Sequence, residues 1–155
     1  MGITQGQGNQ MRILVMGLPG SGKTTLAQNL LEDMTKAGLQ AKWYNADDVR
    51  SAEEDWDFSD AGRQRQAERM RSCADDSARY GFPYVICDFV CPTQKLRNIF
   101  DPDLVVWMDT IEVSRYADTN KVWEPPTKYD YRIQELNRFP WSQIIVDGIK
   151  KNNEA

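Results

Sequence analysis

The hydrophobic positions of the chain form short continuous runs that alternate with segments of helical spacing. Short runs of mostly apolar and aromatic residues predict β-strands over residues 12–16, 41–45, 84–90, 104–108 and 144–146. Helices are predicted over residues 23–37, where apolar side chains recur at steps of three and four, and over residues 59–80. Shorter helical stretches are predicted at residues 92–97 and 131–137. The chain therefore alternates between strands and helices.

Residues with strong positional preferences mark the ends of the two long helices. Gly38 follows the first helix as a C-terminal cap, and Ser59 precedes the second as an N-terminal cap. Gly62 lies in the first turn of the second helix, where its low helix propensity predicts a weak point. Most of the predicted strands are continuous apolar runs rather than alternating ones, which is typical of a parallel sheet covered on both faces. We therefore predict a three-layer α/β/α fold with a mostly parallel sheet and a ligand crevice at the carboxyl ends of its strands.

The segment between the first strand and the first long helix has the spacing of a phosphate-binding loop, or P-loop. Gly17 is followed by four residues and then by Gly22-Lys23-Thr24. Glycines allow positive φ, so backbone N–H groups can converge on a phosphate that also meets the positive end of the following helix. Lys23 is expected to contact the β and γ phosphates of ATP, and the Thr24 hydroxyl to ligate Mg²⁺. The predicted fold is therefore that of the P-loop NTPases, with ATP contacts from Gly17, Leu18, Pro19, Gly20, Ser21, Gly22, Lys23, Thr24 and Thr25.

Composition narrows the function classes. The net charge of −4 disfavours a protein that binds long nucleic acid, although arginines crowd residues 50–79 either as a local basic groove or as a solvated helix face interleaved with acids. The chain has no histidine, which excludes histidine catalysis and histidine metal ligands. Its three cysteines form no CxxC pair and suit a reducing cytoplasm. No apolar run is long enough to span a membrane.

The two ends of the chain are polar, and they set the limits of the predicted domain. Residues 1–10 are predicted to be a flexible leader, 11–150 a single kinase domain and 151–155 a flexible tail, and a homodimer is compatible with the sequence.

Asp47 follows the second strand, faces the crevice and can deprotonate an acceptor hydroxyl, with Asp48 as the reserve. Alternatively, these acids form a turn that caps the next helix. Arg50 can clamp an anion or form a surface salt bridge. Asp88 can hold Mg²⁺ through water or cap a turn.

These segments together resemble the adenylylsulfate kinases, from about Arg12 to Arg97 with weaker similarity to Pro126. The NADDVR segment at 45–50 is similar to the DGDNVR motif of that family, and FSDAGR at 58–63 resembles its F-S-x-x-x-R pattern. DFVCP at 88–92 resembles S-F-I-S-P, while Asp109-Thr110 and Glu124-Pro125-Pro126 resemble later D-T and E-P-P segments. The resemblance implies transfer of the ATP γ-phosphate to the 3′-hydroxyl of adenosine 5′-phosphosulfate, a step in sulfate assimilation.

The resemblance also implies roles for individual residues. Asp47 and Arg50 correspond to the second Asp and the substrate-binding Arg of the family motif. Phe58 and Phe89 would stack on the substrate adenine, and Arg63 would grip its anionic part. The substrate-binding residues implied are Asp47, Arg50, Phe58, Arg63, Gln66, Phe89, Cys91 and Pro92. The metal ligands expected from their positions in the chain, and not from the resemblance, are Thr24 and Asp88, and the catalytic residues expected are Asp47 and Lys23.

The chain departs from the family pattern at several of these positions. Asn45 and Ala46 replace the first Asp and Gly of DGDN, Gln66 replaces an Asn, and Cys91 replaces a Ser. The segment between Asp109 and Glu124 is short and lacks the K-G-L-Y lid sequence. Only Arg115 and Lys121 remain there as cations for the transferring phosphoryl group, and Arg115 is taken as a further ATP contact.

Three other functions remain open at this point. A P-loop kinase for another hydroxyl, such as that of a nucleoside, a modified base or a polynucleotide end, would explain the altered motif and the short lid. An ATP-binding regulatory module or NTPase would need no acceptor. A nucleic-acid-binding protein would need a basic surface.

Overall fold

The structure is a computed structural model that describes residues 9–154 of the chain. Within this range five strands alternate with six helices. The strands are β1 (Met11–Gly17), β2 (Ala41–Asn45), β3 (Tyr84–Asp88), β4 (Leu104–Met108) and β5 (Tyr131–Ile133). The helices are α1 (Lys23–Lys36), α2 (Ala46–Glu53), α3 (Asp60–Arg79), α4 (Gln94–Phe100), α5 (Ala117–Val122) and α6 (Trp141–Glu154).

All five strands are parallel and lie in the order β2-β3-β1-β4-β5. The predicted parallel sheet is thereby confirmed. Strand β3 lies between β1 and β2, so the carboxyl ends of these three strands meet at one edge of the sheet. Val15 of β1 and Asn45 of β2 are both register partners of Asp88 at the end of β3. The P-loop after β1 and the NADDVR segment at the end of β2 are therefore neighbours, although about 20 residues separate them in sequence.

Each face of the sheet packs against its own pair of helices. Along β1, Ile13 and Val15 face a core that includes apolar side chains of α1 and α6. Leu14 and Met16 face a second core that includes side chains of α3 and α4. Successive side chains of a strand point to opposite faces, so a strand buried on both faces must be apolar throughout. The continuous runs of the sequence arise from this arrangement, and the predicted three-layer architecture is confirmed.

The last third of the chain differs from the sequence prediction. Residues 131–133 form an edge strand that pairs with β4, whereas a helical stretch was expected there. Residues 144–146 lie inside helix α6, whereas a strand was expected. The β-branched residues at 144–146 favour a strand locally. However, Ile145 and Ile149 are buried one helical turn apart against the core that also contains α1. Packing of this helical face overrides the local β propensity.

Several element boundaries also differ, and two short helices were not predicted. Strand β3 ends at Asp88 rather than at residue 90, and α4 begins after Thr93, whose hydroxyl accepts a hydrogen bond from the Leu96 N–H. Helices α2 and α5 are too short to have shown a clear period. The N-cap of α2 is Asn45, whose side chain accepts from the Asp48 N–H, so the capping role considered for the acids belongs to the preceding amide.

The two chain ends are more regular than expected where the structure describes them. Gln10 is buried, and its amide donates to the Ser77 hydroxyl at 2.7 Å and to the Phe82 carbonyl at 3.0 Å. Helix α6 continues through Glu154, so the described part of the predicted tail is helical. Residues 1–8 of the predicted leader lie outside the described residues. No helix among residues 9–154 is long and apolar enough to cross a membrane.

Gly62 has a packing role that its low helix propensity did not reveal. A Cβ at this position would overlap the backbone carbonyl of Asp57, which closes the loop between α2 and α3. We expect Gly62→Ala to lower the free energy of unfolding by about 1–3 kcal/mol because the added methyl overpacks this contact. Helix propensity alone would predict a gain of about 1 kcal/mol, so the sign of the change is diagnostic. Urea unfolding at equilibrium provides the measurement.

The matched control is Ser72→Ala on an exposed position of the same helix. It removes no packing contact and should be neutral or slightly stabilising. If Gly62→Ala stabilises the protein as Ser72→Ala does, the close approach of the Asp57 carbonyl is not a constraint on this helix.

Candidate active site

A cleft of about 1210 Å³ opens at the carboxyl edge of the sheet. It is larger than the roughly 300–1,000 Å³ that is typical of a pocket for one small ligand. Its walls come from the P-loop, the start of α2, the loop before α3, the end of β3 and the segment 111–119. The position of the cleft agrees with the crevice expected for a parallel α/β sheet.

The P-loop has the backbone conformation that its glycines predict. Gly20 and Gly22 have φ values of 84° and 96°, which disfavour any residue with a Cβ. At Gly17 a Cβ would lie 2.6 Å from the Met108 carbonyl oxygen and 2.7 Å from the Ser21 hydroxyl, so only glycine fits between β1 and β4. The Thr110 hydroxyl donates to the Ser21 carbonyl at 2.8 Å and ties the loop to the end of β4.

Lys23 lies at the start of α1 and lines the cleft. Its Nζ donates to the Leu18 carbonyl at 3.1 Å, which holds the side chain back over the loop. Burial lowers the pKa of Lys23 to about 8, while the nearby carboxylates of Asp88 and Asp47 oppose the shift. A partly desolvated ammonium of this kind gains strongly from an anionic ligand. Lys23 is therefore well suited to bind an anionic group such as a phosphate.

Asp88 is the buried carboxylate of the site, with 2% of its surface exposed. The Trp43 indole N–H donates to its Oδ2 at 2.6 Å, and the Asn45 amide donates to both oxygens at 3.2 and 3.3 Å. Burial raises the pKa of Asp88, and these hydrogen bonds together with Lys23 oppose the rise. The same Asn45 amide nitrogen lies 3.2 Å from the Thr24 hydroxyl oxygen. One amide therefore links the P-loop helix to the end of β3.

The donor set around this amide fits Mg²⁺. The Thr24 hydroxyl and the Asp88 carboxylate are both oxygen donors, which a small hard cation prefers, and they share Asn45 as a neighbour. Mg²⁺ usually retains several waters and takes its remaining ligands from phosphates, so two nearby protein oxygens suffice. Residues 9–154 contain no cluster of three or more acidic or cysteine side chains that could hold a metal by themselves.

The cleft wall that the sequence predicts to bind the acceptor, called the acceptor wall below, contains Asp47, Phe58 and Arg63. Asp47 is exposed in the first turn of α2 and lines the cleft. Phe58 is 48% exposed, and its ring lies under the guanidinium groups of Arg50 and Arg63 at 4.3 and 5.5 Å from the ring centroid. Arg63 is buried and donates to the Phe58 carbonyl at 2.9 Å and to the Thr119 hydroxyl at 3.2 Å. The two arginines thus fix the Phe58 ring at the cleft wall.

Most of the residues predicted from sequence line this cleft. Those that do are Pro19, Gly20, Gly22, Lys23, Thr24, Thr25, Asp47, Phe58, Arg63, Asp88, Phe89 and Arg115. Gly17, Leu18 and Ser21 of the P-loop are buried and do not line the cleft. Phe89 is only 5% exposed and packs edge-to-face on Phe100 at 5.4 Å, so it offers little of its ring to a ligand.

Four predicted substrate-binding residues lie outside the cleft lining. Arg50 is 5% exposed and donates to the backbone carbonyls of Asp55 and Asp57, so neither a surface salt bridge nor an open clamp describes it. Gln66 is buried and donates to the Ala46 carbonyl at 3.0 Å. Cys91 and Pro92 are buried next to α4. In this structure Arg50 and Gln66 support the loop and the helix that carry Phe58 and Asp47.

The arginine-rich region does not form a basic groove along α3. Arg65 and Arg69 both pair with Asp55, Arg65 also pairs with Asp57, and Arg79 pairs with Asp76. The interleaved arrangement of acids and arginines is therefore the one observed.

The structure brings further residues to the site that the sequence interpretation missed. Trp56 and Val113 are 53% and 70% exposed, and both line the cleft together with Tyr116. They carry no motif signal and come from loops whose course depends on tertiary packing. The sequence pattern places Trp43 in a strand and predicts no role for it in the site. Its spacing of two from Asn45 places both side chains on one face of β2, which is a signal that could have been used.

The sequence model described as adenylylsulphate kinase matches residues 9–122. This match covers the P-loop, the acceptor wall and α5. The chain belongs to the adenylylsulphate kinase family. A probable adenylyl-sulfate kinase of Aeropyrum pernix is 36% identical over 88 residues, which are 56% of this chain and 48% of that protein. An adenylyl-sulfate kinase of Emericella nidulans is 32% identical over 130 residues, with 72% of this chain and 61% of that protein covered.

Adenylylsulphate kinases are also among the structures that share this fold. An APS kinase of Mycobacterium tuberculosis, solved in complex with AMPPNP and APS, superposes with a TM-score of 0.74 at 18% identity, and 94% of this chain and 98% of that chain are covered. The chain spans about half to three fifths of the length of the two family relatives it matches in sequence.

Proposed function

We propose that this chain is an ATP-dependent kinase that transfers the γ-phosphate to a hydroxyl of a nucleotide-like acceptor, with the 3′-hydroxyl of adenosine 5′-phosphosulfate as the first candidate. One observation carries the proposal: the P-loop with Lys23 and the acceptor wall with Asp47, Phe58 and Arg63 line a single cleft. The volume of this cleft suits two ligands together. The described part of residues 11–150 is proposed to act as one catalytic domain.

Each side chain has a role that its chemistry supports. The P-loop N–H groups and Lys23 would bind the β and γ phosphates, and Arg115 from the opposite wall would approach the transferring group. Phe58 would stack on the acceptor base, and Arg63 would face the anionic part of the acceptor. Asp47 would orient the acceptor hydroxyl and remove its proton. Catalysis of this kind consists mainly of positioning and electrostatic stabilisation.

Thr24 and Asp88 would hold Mg²⁺ at the phosphates. When bound, this ion would neutralise charge on the phosphate oxygens. Asn45 would keep the Thr24 hydroxyl and the Asp88 carboxylate next to each other, as their hydrogen bonds to its amide indicate. The names of the family relatives support the kinase activity, and the APS kinase of similar fold was solved with AMPPNP and APS.

A second candidate is a kinase for a different hydroxylated nucleotide or nucleoside. The exposed Trp56 and Val113 in the cleft wall favour it, because they add apolar surface that could contact a different base. The short segment between Asp109 and Glu124 favours it as well.

The experiment is ADP release with and without adenosine 5′-phosphosulfate, measured beside a panel of nucleosides and hydroxylated nucleotides. The first proposal expects ADP release that depends on adenosine 5′-phosphosulfate and yields a 3′-phosphorylated product. Stimulation by another panel member alone would transfer the assignment to the second candidate. ADP release that no acceptor alters would reject both and indicate an NTPase or a regulatory module.

A further inference from the structure

We infer that Trp43 and Asn45 are positioning residues that hold the Asp88 carboxylate beside the P-loop. The DGDN motif that resembles residues 45–48 has an acid at the position of Asn45, on β2. In this chain Asp88, at the end of β3, provides that negative charge instead. The inference rests on the nucleotide and metal site of the proposed function. It does not depend on the identity of the acceptor.

The strand register puts the two exchangeable positions next to each other. Asn45 and Asp88 are register partners at the ends of neighbouring parallel strands, which lie about 4.8 Å apart. Their side chains touch, since the Asn45 amide lies 3.2 and 3.3 Å from the two Asp88 oxygens. A carboxylate on either residue therefore reaches nearly the same point next to the Thr24 hydroxyl. The pair carries one acid and one amide, so its net charge is that of a single carboxylate.

This contact connects two positions at which the chain departs from the family motifs. The motif that resembles residues 45–48 begins with Asp where this chain has Asn45, and the motif that resembles residues 88–92 begins with Ser where this chain has Asp88. Loss of an acid on β2 and gain of an acid on β3 compensate each other across one pair of side chains. Separate losses of function would not be expected to meet at a hydrogen bond.

Trp43 explains how the buried acid is oriented. An ionised carboxylate that is 2% exposed needs hydrogen bonds on its oxygens. The indole N–H supplies the shortest of them, at 2.6 Å to Oδ2. Without it, the hydrogen bond that residues 9–154 still offer to Oδ2 is the 3.3 Å contact with the Asn45 amide, so the carboxylate is held less firmly. Trp43 thus fixes the orientation of Asp88 without lining the cleft.

The first test exchanges the acid and the amide. Asp88→Asn removes the charge, and the double variant Asn45→Asp with Asp88→Asn restores it on β2. In the double variant Asn at 88 can accept from Trp43 through its oxygen and donate to the new carboxylate, and Asp at 45 can still cap α2. The readout is the ratio of AMPPNP dissociation constants without and with Mg²⁺, measured by calorimetry, with thermal unfolding as a check of folding.

We expect Asp88→Asn to reduce this ratio at least tenfold, which is the usual effect of disturbing a metal environment, and the double variant to recover most of the loss. A double variant whose ratio stays as low as that of Asp88→Asn overturns the exchange. Because this readout needs no acceptor, failure of the acceptor assay and failure of the exchange are distinguishable.

The second test removes only the indole N–H. Trp43→Phe should lower the magnesium-dependent ratio about tenfold while AMPPNP affinity without Mg²⁺ stays within about threefold of that of the unmodified protein. The matched control is Trp141→Phe, which removes an indole N–H that donates to the Glu135 carbonyl at 3.1 Å. Its ratio should not change. If both variants behave alike, Trp43 is only a packing residue and its positioning role is rejected.

Discussion

Replacing Lys23 with alanine is expected to lower kcat/KM by about a thousandfold, which corresponds to roughly 4 kcal/mol of lost stabilisation of the transition state. The side chain is held over the P-loop by the Leu18 carbonyl, and its ammonium is the cation that the loop itself contributes to the phosphates. Steady-state kinetics with the acceptor identified in the panel assay provides the measurement.

Stability should not fall in the Lys23→Ala variant. Burial lowers the pKa of Lys23 to about 8, below its value in the unfolded chain, so keeping the group charged at pH 7 costs folding free energy. Removing it should leave the midpoint of thermal unfolding at pH 7 unchanged or higher. Lys36→Ala, at an exposed position on the same helix, is the control and should keep full activity. Activity of the Lys23 variant within tenfold of normal would contradict the role assigned to this side chain.

Asp47→Asn is expected to reduce kcat by a factor of about 100–10,000, the range found for positioned general bases. The amide keeps the size of the side chain but cannot take the acceptor proton. Asp47 is exposed in the cleft and accepts no hydrogen bond from any side chain among residues 9–154. The affinity for AMPPNP should therefore remain within a few-fold of normal, and calorimetry beside single-turnover kinetics separates binding from chemistry.

The neighbouring acid supplies a sharp control. Asp48→Asn alters an exposed residue on the same turn of α2 and should leave kcat within about threefold of normal. If Asp48→Asn is slow and Asp47→Asn is not, the base is the second acid of the segment. If neither variant is slow, proton removal from the acceptor does not depend on this part of α2.

Lys23 and Asp47 lie in the part of the site that was predicted most completely from the sequence. The P-loop and the NADDVR segment each follow a strand, and a parallel sheet brings the carboxyl ends of its strands to one edge, so a shared cleft follows from pattern and topology together. The sequence was less informative on the arginines. A motif match points to Arg50 as an anion clamp, but the loop 55–57 folds over it and its N–H groups bond to carbonyls there.

The segments predicted wrongly share a physical cause. Residues 131–133 are only three long, and they become a strand because the exposed edge of β4 offers them a parallel partner. Residues 144–146 become helical because the surface beside α1 buries Ile145 and Ile149 on one helical face. In both cases the local propensity is weak, and contacts with residues distant in sequence decide the conformation.

By itself, the sequence determined the phosphate loop, the parallel three-layer sheet and the family, since these depend on spacing along the chain that is visible without coordinates. Only the tertiary structure decided which acid faces the P-loop, because the contact of Asp88 with Trp43 and Asn45 depends on β3 lying between β1 and β2. Strand order is a long-range property: it follows from how the helices cover the sheet, and no local pattern of residues encodes it.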